Sequence, residues 1–457
     1  MLGLITGLVY FVGTLYWITH VMVTYGGLKL WVALLVNGAL VAYLALFPAV
    51  FAIAMRQLVT TYGHLALLTA PIVWVATELG RASLFTGFPW VLLGYSQVTV
   101  LPIAQLGSVS GVYGVSALVV AVSAALATTV TMPWGPGRRF GRYVPATLVL
   151  AGLVAIAVWG SLRVGGGDLA RTGQPVRIGI VQGNVDQGEK WDAARAAGIF
   201  RDYLRLTRQA IGEGSELILW PESSTPFNFE DDVDGADRVR MLARQARVPI
   251  LVGSDQIERS RATSYYNAAF LVRADGSTGA VYRKMHLVPF GEYVPLKRIF
   301  FFAAPLVEAV SDYSAGEDAV LLPVDGHTIS TAICYEIVYP DLVRRFVQGG
   351  SELLTTITND AWFGRTSAPY QHFAQASMRA IENGRYLVRS ANTGVSGIVD
   401  PYGRVLERSD IFQQAVIVGQ ARFLRDSTFY ARHGDFFAYG CAFAAVGMLL
   451  TTWRRVQ

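Results

Sequence analysis

Three side chains far apart in the chain could act together: Glu222, Lys284 and Cys334. Each follows a short apolar run, LILWP before Glu222, AVYR before Lys284 and HTISTAI before Cys334. Val, Ile and Thr fit a pleated, half-buried surface, so each run is expected to be a β-strand with its reactive residue at the C-terminal end. Ligand-binding and catalytic groups often emerge at such ends in sheet folds. A thiol of ordinary pKa, about 8.5, is mostly protonated at neutral pH and needs a base before it can attack a carbonyl. Glu222 can take that proton. Lys284 can offset the carboxylate and donate to the oxyanion of a tetrahedral intermediate. The three converge on one edge if their strands share a sheet. Taken singly they have plainer readings: a small buried hydrophobe, a solvated turn residue and a surface charge. The other cysteine, Cys441, lies in a late apolar run, so Cys334 is expected to be a free thiol.

The elements that must hold these residues begin after a Gly-rich linker at 165–173, GGGDLARTG. Strands are expected at 176–184, 216–222, 249–254, 268–273, 280–283, 328–334, 353–358, 393–400 and 415–419, with an amphipathic helix at 192–211. Alternating strands and helices imply an α/β layered domain of about 250 residues, here 174–425.

The rest of the chain is different in kind. Of its 457 residues, 53% are hydrophobic and 16% charged, and the mean hydropathy is +0.38. That is too apolar for an ordinary soluble protein. No charged residue occurs in 1–28 or 82–137. Apolar segments near 2–23, 30–55, 65–79, 109–132, 144–162 and 436–453 are long enough, or nearly so, for a bilayer that takes about 20 residues to cross. The expected organisation is a transmembrane helical domain at 1–163 with about five spans, the α/β domain, and a C-terminal transmembrane helix at 436–453. The first segment has no basic region before it and is not read as a signal peptide. Arg56, Arg138, Arg139, Arg142, Arg454 and Arg455 fall in loops on the N-terminal side, which the positive-inside rule makes cytoplasmic. The α/β domain is then extracytoplasmic. The net charge of +5 suits anionic lipid, and no basic tail or aromatic-basic platform supports nucleic acid. No zinc-ligand pattern is present, and neither a metal nor a cofactor is expected.

Motifs join the two parts. They are FTGFPW at 85–90, GYSQ at 94–97, VQGN at 181–184, WPES at 220–223, KMHLVPFGEYVP at 284–295, AICYE at 332–336 and NDAWFG at 359–364. Together they resemble the carbon-nitrogen hydrolase (nitrilase) superfamily and, more closely, its membrane-bound branch, the apolipoprotein N-acyltransferases. The resemblance implies an αββα sandwich with Glu222, Lys284 and Cys334 as a Glu-Lys-Cys triad. It places Glu292 as a second site glutamate that holds Lys284 or shuttles a proton, and Tyr335 and Glu336 behind the nucleophile. Asn267 and Trp191 match family positions near the site. It further implies an integral, multi-pass protein of the cell (inner) membrane that needs no cofactor. Its partners would be a phospholipid acyl donor and a diacylglyceryl apolipoprotein acceptor, with the acyl chain carried as a thioester on Cys334. Members usually carry eight spans; the match begins at what would be the third, and lacking an even number leaves the inferred sidedness unchanged.

The run 299–307, IFFFAAPLV, is either a loop that dips into lipid and gates the site or a core helix. Trp362 and Phe363 either cap the thiol, line an acyl channel or pack in the core, and Asn359 and Asp360 are candidates to cap a turn. Three rival accounts stay open: a membrane-anchored amidase or nitrilase that hydrolyses its thioester, a Cys-His-Asn enzyme using His372 with Asn383 or Asn392, and a non-catalytic lipid carrier.

Overall fold

A computed structural model describes residues 1–132, 141–190, 192–259, 263–293 and 313–456. Trp191 and the run 299–307 lie outside the described residues. The chain forms two compact units, one of Met1–Thr19, Leu28–Gly167 and Thr428–Gln457, the other of His20–Gly27 and Asp168–Ser427.

The first unit is helical, as it must be where no water is present to satisfy backbone groups. Among the described residues five helical stretches are long and apolar enough to cross a membrane: Leu30–Tyr62, His64–Ser83, Gly107–Thr131, Gly141–Ala170 and Phe436–Trp453. The expected first span is instead a bent pair, Leu2–Leu15 and Trp17–Thr24, at 50° to one another, and counts as a sixth only if the two halves are taken together. Pro71 does not interrupt the third span. It sits in the first turn of the helix Ala70–Ser83, where its missing N–H costs nothing. Two charged residues are buried at the end of that helix. Glu78 Oε1 accepts from the Leu93 amide at 2.7 Å, and Arg81 Nη1 donates to the carbonyls of Phe88 (3.0 Å) and Trp90 (2.8 Å). The FTGFPW segment is thus folded around a guanidinium, whose donors satisfy carbonyls that no helix could.

Among its described residues the second unit has two six-stranded sheets. The first has the order β12-β1-β2-β3-β4-β5: Ala415–Phe423, Gln174–Gln182, Leu217–Leu219, Ile250–Arg259, Thr263–Val272 and Thr278–Arg283. The second has the order β11-β10-β9-β8-β7-β6: Val405–Arg408, Gly397–Val399, Leu387–Ala391, Leu353–Thr358, His327–Ile333 and Leu322–Val324. Neighbouring β1, β2 and β3 run parallel, as do β7, β8 and β9. Strands of the two sheets touch, with β1 against β9 and β4 against β7. The helices Ala193–Gly212 and Val233–Ala246 cover the first sheet, and Ala368–Asn383 packs on β9. This is the expected αββα sandwich. The central strands are buried on both faces and therefore read as continuous apolar runs, LIL in β2 and ILV at the start of β3.

Four expectations are corrected. The three strands that precede Glu222, Lys284 and Cys334 do not share a sheet: β2 and β5 belong to the first, β7 to the second. Cys334 lies one residue past its strand and opens the 3-10 turn Cys334–Val338. The strand expected at 393–400 is only Gly397–Val399, behind a loop. Strands β6, β9 and β11 were not anticipated. In β9, LVRSA, the pattern is hidden by Arg389 and Ser390, both fully buried because they have buried partners.

Candidate active site

Glu222 lies just beyond β2, held from behind by Trp220, whose Nε1 donates to Thr207 Oγ1 at 2.8 Å inside the first sheet's core. Its carboxylate is almost wholly buried. Oε1 accepts from Asn267 Nδ2 at 2.7 Å and Oε2 from the Asn359 main-chain amide at 2.8 Å. Lys284, 1% exposed, begins where β5 ends and is registered there by its amide, which donates to the Asn267 carbonyl at 2.8 Å. Its Nζ stands 2.8 Å from Glu292 Oε1 and 3.5 Å from Glu222 Oε1. Burial opposes the charge on this ammonium. The carboxylates of Glu292 and Glu222 outweigh burial and hold its pKa above the ordinary value. Asn267 Nδ2 also reaches Glu292 Oε1 at 3.1 Å, and Glu292 Oε2 accepts from the Val288 amide at 2.8 Å. One ammonium and one amide therefore bind both carboxylates into a fixed set.

Cys334 comes to this set from the facing sheet. Its backbone has φ 53, a left-handed conformation that costs a side-chain-bearing residue about 1–2 kcal/mol. Such strain persists only where the surroundings over-determine it. They do so here. His372 Nε2 donates to the Cys334 carbonyl at 3.1 Å. Glu336, two residues on and fully buried, closes the turn. Its Oε2 accepts from the Ile333 amide at 2.7 Å, and its Oε1 from Tyr282 Oη (2.7 Å) and the amides of Met285 (2.7 Å) and His286 (3.0 Å). Glu336 thereby ties the turn after β7 to the chain that follows Lys284. Burial pushes its carboxyl up to about 7 against the pull of these donors. Burial also raises the Cys334 thiol above its ordinary value, as does the Glu222 carboxylate, while Lys284 pulls it down. The residue keeps a partly accessible surface. Burial and the nearby Glu222 carboxylate together favour the protonated thiol.

Among the other expected site residues, Tyr335 is buried against the rings of His286 and Tyr339 (centroids 5.9 and 5.2 Å). Trp362 packs edge-on against Tyr25 at 5.2 Å, and Phe363 against His372 at 5.9 Å. Asn359 and Asp360 do more than cap a turn: the Asn359 amide serves Glu222, and Asp360, fully buried, faces His372 Nδ1 (3.0 Å) and Arg389 Nη2 (2.8 Å). His372 is therefore spent on the backbone of Cys334 and on Asp360. Asn383 Nδ2 donates to the Arg379 carbonyl, and Asn392 Nδ2 to the Val185 carbonyl and Asn359 Oδ1. Among the described residues the amides of Asn383 and Asn392 are thus engaged elsewhere than a Cys-His-Asn relay would need them. Among the described residues no cluster of His, Cys, Asp and Glu could hold a metal ion.

Two charged residues at the site escaped the sequence reading. Lys190, 6% exposed, donates from Nζ to the Glu222 carbonyl at 3.4 Å. Asp255, in β3, accepts from Ser223 Oγ (3.2 Å) and Tyr313 Oη (2.9 Å). Lys190 precedes Trp191 in a motif-like KWD, the one local signal that could have drawn attention to it.

The apolipoprotein N-acyltransferase N-terminal domain family matches residues 1–125, and the carbon-nitrogen hydrolase family matches 177–423. The apolipoprotein N-acyltransferase of Geobacter metallireducens is 40% identical over 463 residues, covering 99% of this chain and 87% of that protein. Those of Methylococcus capsulatus and Nitrosomonas europaea are each 35% identical, covering 96% and 95% of this chain and 84% of theirs. With helices that suit a membrane, a two-sheet sandwich and matches that run through both units, the chain belongs to the apolipoprotein N-acyltransferase family, the membrane-bound branch of the carbon-nitrogen hydrolase superfamily.

Proposed function

We propose that this enzyme moves a fatty acyl chain from a phospholipid, by way of a thioester on Cys334, to the N-terminal amine of the diacylglyceryl-cysteine of an apolipoprotein. The observation that carries this reading is a strained Cys334, within the field of Glu222 and Lys284, facing a Glu222–Lys284–Glu292 set locked by Asn267. In the first half-reaction Glu222 takes the thiol proton as sulfur attacks the ester carbonyl. Lys284, whose charge is secured by two carboxylates, stabilises the oxyanion. Collapse of the intermediate breaks the C–O bond, and protonated Glu222 returns the proton to the departing lysophospholipid. In the second, the acceptor's α-amine, of ordinary pKa about 8, attacks the thioester. Glu222 accepts the amine proton and passes it to the leaving thiolate, and an amide is formed. Two products leave in turn, so the kinetics are ping-pong.

Residues 1–163 and 436–453 serve as the membrane domain in this reading, and 174–425 as the catalytic domain. Lifting a fourteen-carbon chain from a bilayer into water costs roughly 10 kcal/mol at about 0.8 kcal/mol per CH₂, which is why a site for such substrates is built on membrane helices. Arg56, expected in a loop, lies instead within the last two turns of the helix Leu30–Tyr62, and Arg142 opens the stretch Gly141–Ala170; cations at these span ends favour a cytoplasmic N-terminal side and an extracytoplasmic catalytic domain.

Mass spectrometry of the purified full chain after exposure to phospholipid tests the reading. An acyl adduct on Cys334 that is discharged by a diacylated lipopeptide to give a triacylated product is expected. Release of free fatty acid instead of transfer would make the enzyme a hydrolase, and absence of any adduct on Cys334 would sink the thioester route.

A further inference from the structure

The loop between β1 and the helix Ala193–Gly212 is built to deliver one side chain. Asn184 donates its amide to the Asn392 carbonyl at 2.9 Å, and Asn392 returns its own Nδ2 to the Val185 carbonyl at 2.7 Å. Asn359, whose main-chain amide holds Glu222, donates its Nδ2 to Gln187 Oε1 at 2.6 Å. Gly188 and Glu189 then close a turn on Asp186, through its Oδ1 at 2.8 Å and its carbonyl at 3.2 Å. The product is a buried ammonium, Lys190 Nζ, seated on the Glu222 carbonyl. The next residue, Ser223, has φ 43, so the main chain is strained where that ammonium grips it.

Charge gives this placement its meaning. The carboxylates of Glu222, Glu292 and Asp255 crowd one small volume, and Lys284 is shared by the first two. Burial pulls the Lys190 ammonium below its ordinary pKa, while the charges of Glu222, Asp255 and Cys334, which its field reaches, hold it up. Cys334 itself is faced by Glu222, Lys284, Asp360 and the Thr358 hydroxyl, with Lys284 the stronger of its two cations. The charge of Asp360 is in turn engaged by Arg389 and His372.

We propose that Lys190 is a positioning residue for acyl transfer, which fixes the Glu222 main chain through its carbonyl and adds a second positive field that stabilises the Cys334 thiolate while its proton sits on Glu222. The step balances within the protein: the S–H bond breaks, the Glu222 O–H bond forms, and negative charge moves from oxygen to sulfur within the field of both ammonium groups. This role deepens the proposed reaction and rests on it.

The test is iodoacetamide alkylation of Cys334, read on its own peptide in the full-length enzyme in detergent across a pH series. Wild type is compared with Lys190→Met, Lys190→Arg and Asp255→Asn. Lys190→Met should react roughly three- to tenfold more slowly at any fixed pH, a shift of about one unit in thiol pKa partly offset by the greater nucleophilicity of a more basic thiolate. Its rate–pH line should move to the alkaline side, and Lys190→Arg should keep the wild-type line. Asp255→Asn, which removes a negative charge from the same cluster, should shift the line the opposite way. It carries the test even if Lys190→Met does not fold. Unchanged alkylation in Lys190→Met, a Lys190→Arg line that follows Lys190→Met, or a slower Asp255→Asn each overturns the proposal. Acylation of wild-type Cys334 by phospholipid is followed in parallel. A Lys190 effect with no adduct would defeat the acyl-transfer reading alone, and an adduct with no Lys190 effect would defeat this inference alone.

Discussion

Replacing Glu292 by Gln probes the arrangement most directly, because the charge is removed while the shape is kept. At an effective dielectric constant of about 20, two unit charges 2.8 Å apart, the Lys284–Glu292 separation, attract by about 6 kcal/mol; at 3.5 Å, the Lys284–Glu222 separation, by about 5 kcal/mol. These gross terms are offset by desolvation, and breaking one partner of a buried pair typically costs about 3–5 kcal/mol net. Gln adds a second fault. Its oxygen can face Lys284 and Asn267, but its NH₂ then meets the Val288 amide, a donor against a donor where Oε2 now accepts. The ammonium, released from Glu292, closes on Glu222, and a more tightly paired carboxylate is a weaker base. Loss of one preorganised electrostatic contact of this kind slows chemistry by about 10²–10³, or about 2.7–4 kcal/mol. The assay is rapid-quench formation of the Cys334 acyl adduct from phospholipid, with acceptor absent so that only the first half-reaction is seen. Acylation of Glu292→Gln at the wild-type rate would refute the claim that Glu292 holds Lys284 for the reaction.

Lys284→Ala should abolish acylation. His372→Gln, which can still donate to the Cys334 carbonyl, should keep acylation within about tenfold, since His372 here serves the backbone; the reverse order would revive a thiol–histidine mechanism. Because the resting thiol is held above its ordinary pKa, wild-type alkylation by iodoacetamide should climb about tenfold per pH unit from about pH 6 to 9, and a plateau near neutrality would show a preformed thiolate. Gly364 has φ 61, and a Cβ there would overlap the His20 ring, so Gly364→Ala should lower stability by about 1–3 kcal/mol. Adding His20→Ala should recover the steric part but not the backbone part, as read by thermal unfolding in detergent; full recovery would mean that the left-handed backbone carries no cost.

Much of this protein is legible one segment at a time. Stretches without charge announce membrane helices because an unpaired charge is costly in hydrocarbon. The apolar runs before Glu222, Lys284 and Cys334 read as strand ends because β-propensity and burial are local pressures. Even so, β9 was missed because Arg389 looks like surface until Asp360 is seen beside it in the core. The first span looks continuous until its bend is seen, since hydropathy has no angle.

The meeting of Glu222, Lys284 and Cys334 belongs to another level. Their strands lie in two sheets, and only the face-to-face packing of those sheets brings a thiol from one to a carboxylate and an ammonium from the other. The left-handed turn at Cys334, the closure of that turn by Glu336 and the seating of Lys190 on Glu222 likewise depend on partners tens of residues away. Composition and periodicity report which residues prefer burial. They carry no record of which buried residue faces which, because that is decided when distant segments exclude water together, and it is there that the chemistry of this chain is set.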